Sequence, residues 1–561
     1  MIGYTLSDPA TDDSWPTFEW DLPKHFNIAA ACMSAPTEAI AIRYVDTTGE
    51  QVEITYGQLT DAVAVTASRL AALGVSRGDA VGVRLPQSPE LIVAHLATLS
   101  CGGVVVPLSM LLSTDHLSHA IGHSETSVLV VDKRTTAETT AALDPAVVTL
   151  SVEPQPAPEH DGLGGLRLHV EDGPESEAQT VANPVDTHPD EPAFLLYTSG
   201  TTDTPKGVVQ GHQYLIGSLP GYQCWCHLFT RQAAAASRVW TPAEWAWAGA
   251  LFNVVYPTLA LGGTVVAQAR RSGFDPDRAL GIVAATGVTH SFMPPTALSR
   301  IREADVADDH DLSRLRILNC GGEPLSTDLR RWAESALDLV VNETYGQTEA
   351  NALVGECRAA YYSPPESMGR PYPGHQIVVV DDQGQPVDDG VLGRLALRTP
   401  DPACFLGYHD DAEATADAFR WEGLLDTSDV AVRSANGTLT HHGRADSLII
   451  TSGYRVSPPE VEAALTSHPA VNAAVVAGVP DETRGQRVAA AVVLSSTVTS
   501  PADPTNQYDL DEYIEETLRT ELLEHAKAKL GAHKTPRELR FVTSLSETRT
   551  GKVDRREIFD N

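Results

Sequence analysis

Apolar and polar residues follow two different patterns along the first part of the chain. From Leu59 to Gly74 the apolar residues recur with helical spacing and the stretch ends on glycine, which is typical of an amphipathic helix. The next segment, DAVGVRL, is a short apolar run typical of a strand, and Glu90 to Leu108 repeats the order of helix and then strand. Because strands alternate with helices, the pattern predicts an α/β fold with parallel strands joined by crossover helices.

The pattern changes after Ser363. Shorter apolar runs are separated by Gln-Gly and Asn-Gly pairs, which predict hairpins and therefore a small β subdomain. Beyond Gly443 two helical stretches mix with four apolar runs, which predicts a compact α+β domain. We therefore expect an N-terminal domain over residues 1–443 and a C-terminal domain over residues 444–561.

One long uncharged run, Trp245 to Gln268, has the length needed to cross a bilayer. Asn253, Pro257 and the pair Gly262-Gly263 interrupt it. The run therefore favours a buried helix followed by a buried strand, and we expect no membrane insertion.

The formal net charge of −34 argues against a surface for nucleic acid or for an anionic membrane. The first fifteen residues lack the basic start and apolar core of a signal peptide, so we expect a cytoplasmic protein. The seven cysteines form no CxxC pair, which fits a reducing compartment. Cys224 to His227 is interpreted as core or loop rather than as a metal site.

A polar loop from Tyr197 to Gly207, reading YTSGTTDTPKG, follows an apolar run and carries the strongest chemical signal. It combines five serine and threonine residues with two glycines and one lysine. Hydroxyl groups, backbone N–H groups and a lysine bind phosphate oxygens, so we predict a phosphate-binding loop, although it is not a Walker A sequence. The alternative is a flexible polar turn. The predicted phosphate-binding residues are Thr198, Ser199, Gly200, Thr201, Thr202 and Lys206.

Four further stretches accompany this loop in a fixed order: NCGGEPL from Asn319, ETYGQTEA from Glu343, GRADSLIITSGYRV from Gly443 and ETRTGKVDRRE from Glu547. Together with the loop they resemble the signatures of the adenylate-forming superfamily, which includes acyl-CoA synthetases, peptide-synthetase adenylation domains and luciferases. The resemblance is strongest to the medium-chain acyl-CoA synthetases. It implies doubly wound α/β subdomains with a small β subdomain, followed by a mobile C-terminal domain that turns about a hinge at Asp446.

The resemblance implies that a carboxylic acid and ATP form an acyl-adenylate, which coenzyme A then converts to acyl-CoA, with Mg²⁺ bound by Glu349. In this comparison Lys552 and Thr348 act at the α-phosphate and, with Glu349, form the catalytic group. The alternatives from the residues alone are an exposed lysine at residue 552 and, at residue 349, a glutamate near the N-terminus of a helix that is stabilised by the helix dipole. The implied nucleotide-binding residues are Gly321, Gly322, Glu323, Pro324, Tyr345, Gln347, Asp429 and Arg444, and Gly453 and Arg455 would line the coenzyme A channel.

Two positions depart from the family pattern, which usually has glycine where this chain has Asp203 and Ser428. The acyl pocket is the least defined part. Trp247 and Phe252 lie where the family places residues against the acyl group, and the alternative is that both are core aromatic residues. Ala248 to Ala250 suggests room for an acid wider than acetate.

The predicted function is therefore an acid–thiol ligase for a medium-sized or bulky acid. Three alternatives remain open: an enzyme that uses a preformed acyl-adenylate from a separate adenylating enzyme because Asp203 weakens ATP binding, an enzyme that loads a carrier protein, and a non-catalytic binder of acyl groups or adenylates. The sequence leaves the identity of the acid and the oligomeric state open.

Replacing Lys552 by alanine should reduce acyl-adenylate formation far more than thioester formation from a supplied acyl-adenylate. The lysine charge is needed mainly while negative charge accumulates on the phosphate. Pyrophosphate exchange measures the first step, and acyl-CoA formation from synthetic acyl-adenylate measures the second. Equal losses in the two assays would contradict this division.

Overall fold

The computed structural model describes residues 18–140, 147–152, 183–198, 205–269, 273–365, 367–452, 454–481, 483–495, 498, 517–545 and 558–559. The chain divides into two compact units. The first comprises Met1–Ile377 and Leu397–Leu425, and the second comprises Val378–Ala396 and Asp426–Asn561. The predicted division into domains of residues 1–443 and 444–561 stays a prediction.

The described strands are, in chain order, β1 (Ile40–Val45), β2 (Gln51–Thr55), β3 (Ala80–Arg84), β4 (Val104–Pro107), β5 (Val128–Asp132), β6 (Val148–Val152), β7 (Pro192–Thr198), β8 (Lys206–Gly211), β9 (Arg238–Trp240), β10 (Thr264–Gln268), β11 (His290–Phe292), β12 (Ile317–Gly321), β13 (Val340–Tyr345), β14 (Val354–Gly355), β15 (Arg370–Pro371), β16 (Ile377–Val380), β17 (Leu392–Arg398), β18 (Gly407–Tyr408), β19 (Leu424–Arg433), β20 (Leu439–Arg444), β21 (Ile449–Thr451), β22 (Tyr454–Val456), β23 (Val471–Asp481), β24 (Gly485–Leu494) and β25 (Glu538–Phe541).

The described α-helices are α1 (Ile28–Cys32), α2 (Tyr56–Ala72), α3 (Pro89–Ser100), α4 (Thr114–His123), α5 (Thr136–Thr140), α6 (Gln213–Cys226), α7 (Arg231–Ala235), α8 (Ala248–Ala250), α9 (Tyr256–Ala260), α10 (Pro276–Thr286), α11 (Pro295–Ala304), α12 (Thr327–Ala336), α13 (Ala412–Ala418), α14 (Pro458–Thr466) and α15 (Arg519–Leu530). A π-helical turn, Leu251–Val255, joins α8 to α9. Short 3-10 turns occur at Lys133–Thr135, Ala307–Asp309 and Ala445–Ser447.

The first unit contains two mainly parallel sheets. One has the strand order β15-β14-β13-β12-β11-β9-β10-β1-β2, and the other has the order β18-β8-β7-β4-β3-β5-β6. Strands β4, β5 and β12 are buried along their whole length, as expected for parallel strands with both faces covered. The predicted α/β class is therefore confirmed.

The start of α2 shows why the sequence pattern misplaced one helix boundary. The helix begins at Tyr56, three residues before the predicted Leu59, because Thr55 and Gln58 form a reciprocal capping box. Its end agrees with the prediction, since Gly74 has the positive φ of +94° that glycine adopts without strain.

The second unit contains most residues of a four-stranded sheet, β16-β17-β19-β20, and a five-stranded sheet in which β22-β21-β24-β23 is completed by β25 beside β24. Strands β19 and β20 pair in antiparallel fashion across the Asn436-Gly437 turn, which confirms the predicted hairpin. Helices α14 and α15 pack on the second sheet, where Val461 and Leu522 are fully buried in an apolar cluster.

The uncharged run from Trp245 to Gln268 forms α8, the π-helical turn, α9 and then β10, and β10 is entirely buried. This confirms a helix followed by a buried strand. Among the described residues, the structure contains no helix long and apolar enough to cross a membrane.

Three buried histidines and one half-buried histidine of the first unit should make the fold sensitive to acid. Burial lowers the pKa of His95 and of His290 to about 3, and that of His212 and of His227 to about 4. Each ring therefore stays neutral in the folded protein at pH values where the unfolded chain, with a histidine pKa of 6.5, binds a proton.

We expect the free energy of unfolding to fall as the pH drops below 6.5, because the unfolded state then binds more protons. For His95 alone the loss should reach about 2 kcal/mol at pH 5, following the 1.36 kcal/mol per pKa unit. Denaturant unfolding at pH 8 and pH 5 for the wild type and for His95→Gln measures this contribution. Equal pH dependence in the two proteins would contradict it.

Candidate active site

The predicted phosphate loop is described at its two ends. Thr198 is the last residue of β7 and Lys206 is the first residue of β8, and the two residues face each other in an antiparallel pair. The loop therefore connects the strands of a hairpin. The Lys206 ammonium lies 4.0 Å from Asp411 Oδ2 and 5.1 Å from the centre of the Tyr408 ring. Seven residues discussed above lie outside the described part of the chain: Ser199, Gly200, Thr201, Thr202, Asp203, Gly453 and Lys552.

The turn from Tyr345 to Ala350 follows β13 and carries Gln347, Thr348 and Glu349. Its backbone carbonyls are held by elements next to the phosphate loop. Gln210 of β8 donates to the Thr348 carbonyl at 2.6 Å, and the Tyr214 hydroxyl of α6 donates to the same oxygen at 2.9 Å. The backbone N–H of Phe405 donates to the Glu349 carbonyl at 2.8 Å. These bonds fix the turn that presents Thr348 and Glu349.

Glu343, which begins the ETYGQTEA stretch, joins this turn to the NCGGEPL stretch. Its carboxylate accepts a bond from the Leu325 N–H at 3.4 Å and from Arg330 at 3.1 Å. Arg330 also donates to Glu356 at 2.6 Å, and Glu356 accepts from the Glu343 N–H at 3.0 Å. Burial raises the pKa of Glu343 to about 7, and the neighbouring Glu356 adds to the rise while Arg330 opposes it.

The segment Gly321 to Pro324 leaves the carboxyl end of β12 beside Trp247. Gly322 has φ of +86°, and a Cβ atom at this position would lie 2.8 Å from the Trp247 ring. A Cβ atom at Gly321 would lie 2.8 Å from the Thr344 carbonyl oxygen. The two glycines thus allow Trp247 and β13 to approach the backbone, and a Glu323 oxygen accepts a bond from Thr296 at 3.2 Å.

The two predicted pocket residues differ in environment. Trp247 is partly buried, and its ring centre lies 6.0 Å from that of Phe292. Phe252 is fully buried, with ring centres of Phe194, Tyr214 and Tyr256 at 5.2, 4.5 and 5.1 Å. Packing of this kind agrees with the alternative that Phe252 is a core residue. Contact of either side chain with an acyl group stays a prediction.

In the second unit, the structure brings the predicted nucleotide-binding residues Asp429 and Arg444 together. They face each other across β19 and β20. The Asp429 carboxylate is buried, and its Oδ1 lies 3.3 Å from His441 Nε2. Arg444 Nε lies 3.6 Å from Asp446 Oδ1 at the predicted hinge.

The predicted channel residue Arg455 is on β22, and its guanidinium lies 3.1 Å from Asp382. The Arg455 and Asp382 side chains are 55% and 58% exposed, so water and salt screen this ion pair and it contributes little to stability. Arg455 is therefore accessible on the second unit for another anionic partner.

Mg²⁺ prefers oxygen ligands in octahedral geometry and usually keeps several waters. The described residues contain no group of three or more histidine, cysteine, aspartate or glutamate side chains arranged to hold a metal ion. A single carboxylate such as Glu349 fits Mg²⁺ only when phosphate oxygens and waters complete the coordination, which is the usual arrangement at nucleotide sites. The residues present therefore fit a metal ion that is bound together with a nucleotide.

Four residues beside the predicted stretches and site residues of the two units were not themselves predicted from the sequence. Tyr408 donates a hydrogen bond to Glu349 Oε1 at 2.7 Å from 59 residues away. Arg330 and Glu356 lie outside the recognised stretches. Arg330 donates hydrogen bonds to the carboxylates of both Glu343 and Glu356. His441 lies 3.3 Å from Asp429 in the second unit, and its position three residues before the predicted binding residue Arg444 is a signal that the sequence offered.

Two family models match the chain. The model described as AMP-binding enzyme matches residues 28–409, and the model described as AMP-binding enzyme C-terminal domain matches residues 460–552. Among solved structures, an acyl-CoA synthetase from Brucella canis has a TM-score of 0.70 and 27% identity, and the match covers 96% of this chain and 95% of that chain.

Curated relatives give the same family assignment. The acetyl-coenzyme A synthetase of Pyrobaculum arsenaticum is 31% identical over 86% of this chain and 73% of its own length. The uncharacterized acyl-CoA ligase YtcI of Bacillus subtilis is 30% identical over 94% of this chain and 93% of its own length. Both are similar to this chain along most of its length.

The backbone at Ser428 suggests a stabilising substitution. Ser428 has φ of +60°, a left-handed conformation that costs an L-residue roughly 1–2 kcal/mol. Glycine removes this cost but loses about 0.5–1 kcal/mol through the greater freedom of the unfolded chain. We therefore expect Ser428→Gly to raise the free energy of unfolding by roughly 0.5–1 kcal/mol, measured by denaturant unfolding.

Ser428→Ala is the matched control, because alanine removes the hydroxyl and keeps the Cβ atom. It should give no stabilisation. A stabilisation by Ser428→Ala as large as that by Ser428→Gly would show that the backbone conformation is not the cause.

Proposed function

Because this chain belongs to the AMP-binding enzyme family, we propose that it is an acyl-CoA ligase that joins a medium-sized or bulky carboxylic acid to coenzyme A through an acyl-adenylate. The family matches confirm the resemblance to the adenylate-forming superfamily. The observation that carries the proposal is the position of Tyr408, whose side chain contacts both Lys206 and Glu349. It supports a site where a cation and a metal-binding carboxylate act on one phosphate group.

In the first step, a carboxylate oxygen would attack the α-phosphorus of ATP, so that a new O–P bond forms, the bond from the α-phosphorus to the bridging oxygen breaks and pyrophosphate leaves with that oxygen. Two anions meet in this step, so positive charge must offset the repulsion. Lys206 supplies a cation at the end of the phosphate loop, and Glu349 would hold Mg²⁺ together with phosphate oxygens. The bound ion would add further charge screening. Lys552 is proposed to add its charge at the α-phosphate.

In the second step, the coenzyme A thiolate would attack the acyl carbonyl, so that a C–S bond forms, the C–O bond to phosphate breaks and AMP leaves. We propose that the C-terminal segment turns about Asp446 between the two steps and that Gly453 and Arg455 then face the pantetheine arm. The exposed guanidinium of Arg455 suits an anionic partner such as a coenzyme A phosphate. Trp247, beside Gly322, is proposed to border the acyl group.

A second candidate follows from Asp203 in the phosphate loop. At roughly 4 Å from a phosphate oxygen, with an effective dielectric near 20, its charge would repel each phosphate charge by about 4 kcal/mol. Repulsion of this size corresponds to about a thousandfold weaker use of ATP, while AMP would be affected much less. The chain would then convert an acyl-adenylate made by a separate adenylating enzyme.

One experiment separates these functions. Thioester formation is measured from a panel of acids with ATP and Mg²⁺, and separately from synthetic acyl-adenylates, with coenzyme A or with a carrier protein as the acceptor. The proposed function predicts acyl-CoA from acid and ATP. Thioester from acyl-adenylate alone, with ATP use restored in Asp203→Gly, would instead establish the second candidate.

Two other outcomes would reject the coenzyme A assignment. Thioester formed with the carrier protein but not with coenzyme A would identify a carrier-loading enzyme. Nucleotide binding without a thioester under any condition would identify a non-catalytic binder.

Asp203→Asn is the matched variant for charge, because it keeps the size and Cβ atom of the side chain while it removes the negative charge.

A further inference from the structure

Tyr408 lies where three parts of the first unit meet. It belongs to β18, which pairs in antiparallel fashion with β8 so that Tyr408 faces Val208, two residues after Lys206. The same segment contacts the turn after β13. The Phe405 N–H donates a hydrogen bond to the Glu349 carbonyl, and Cys404 forms an isolated antiparallel β-bridge with Ala350. The backbone around Tyr408 is thus attached both to the strand that follows the phosphate loop and to the turn that carries Glu349.

The Tyr408 hydroxyl donates to Glu349 Oε1 at 2.7 Å. A carboxylate can accept several hydrogen bonds, so a phenol bound to one oxygen leaves the other oxygen able to coordinate a hard cation. The bond also orients the carboxylate, and hydrogen bonds to metal-binding carboxylates generally strengthen metal binding by 10–100-fold.

The ring of Tyr408 faces the other charged group of the site. Lys206 Nζ lies 5.1 Å from its centre, which is within the range of a cation–π interaction. Asp411, 4.0 Å from the same ammonium, holds it from another side. The Lys206 side chain is 39% exposed, so these contacts contribute little binding energy. Their main effect is to orient the ammonium group.

The position of the ring is itself constrained. Phe405 packs edge-to-face against it with ring centres 4.9 Å apart, and Phe405 in turn stacks on Phe419 at 5.4 Å. The Tyr408 N–H donates to Thr415 Oγ1 at 2.9 Å, and Thr415 is in α13. Because both the backbone and the ring of Tyr408 are held in place, its side chain can orient the groups that it contacts.

We propose that Tyr408 is a positioning residue that sets the distance between Glu349 and Lys206 and so prepares the site for a metal-bound triphosphate. The inference rests on the proposed nucleotide chemistry of this site. It assigns separate tasks to the two parts of the side chain: the hydroxyl orients the carboxylate that would hold Mg²⁺, and the ring places the lysine that faces phosphate.

The test is the gain in ATP affinity that Mg²⁺ produces, measured by titration calorimetry with Mg²⁺ and with EDTA. Tyr408→Phe keeps the ring and removes the hydroxyl. It should reduce the gain about tenfold or more and leave the affinity for metal-free ATP unchanged. Tyr408→Leu removes the ring as well, so it should also weaken metal-free ATP binding by about two- to fivefold.

Two comparisons make the result specific. Tyr222→Phe is the matched control, since it removes a buried hydroxyl that bonds to Thr258 at 2.9 Å, and it should leave the Mg²⁺-dependent gain unchanged. In a Glu349→Gln background, Tyr408→Phe should have no further effect on the gain, because the carboxylate it orients is absent. Thermal unfolding of each variant confirms that the fold is retained.

The assignment would be overturned if Tyr408→Phe kept the full gain in ATP affinity on adding Mg²⁺, or if it lost ATP affinity equally with Mg²⁺ and with EDTA. It would also be overturned if Mg²⁺ did not increase the ATP affinity of the wild type. Failure of the proposed function is a separate outcome. A wild type that shows the Mg²⁺-dependent gain but makes no thioester from any acid or acyl-adenylate would reject the ligase, and the assignment of Tyr408 would then stand on the binding data.

Discussion

The parallel pairing of β12 with β13 is the constraint on which the candidate site depends. Gly321 faces Thr344 in this pair, so the NCGGEPL and ETYGQTEA stretches leave the sheet side by side at its carboxyl edge. Loops at the carboxyl ends of parallel strands are the usual binding region of open α/β sheets. The close approach requires glycine at residue 321, and Trp247 occupies the space beside Gly322.

Charge imposes a second constraint on the same edge. The carboxylates of Glu343 and Glu356 are largely shielded from water, and burying an unpaired carboxylate is unfavourable in free energy. Arg330 forms an ion pair with each of them and offsets this cost. The resulting cluster bonds to the backbone N–H of Leu325 and lies directly before the turn that carries Glu349. A structural ion cluster thus lies beside the turn that carries the partly buried Glu349.

Much of the fold followed from local patterns. Helical spacing and short apolar runs predicted the α/β class, and the Asn436-Gly437 turn marked the hairpin of β19 and β20. The capping box of Thr55 was missed because the prediction followed apolar residues, and the first turn of α2 is defined by polar capping groups instead. The sequence motifs also predicted Glu349 and Lys206 as site residues, and the structure places both in contact with Tyr408.

By itself, the sequence determined the order of the elements, the positions of the candidate binding stretches and the chemical groups they carry, because these depend on neighbouring residues. Which of those groups come into contact depends on the three-dimensional fold. Tyr408 reaches Glu349 from 59 residues away, and Arg330 reaches Glu356 from 26 residues away. Such pairs are set by strand order and side-chain packing, which bring distant residues together without leaving a periodic pattern in the chain.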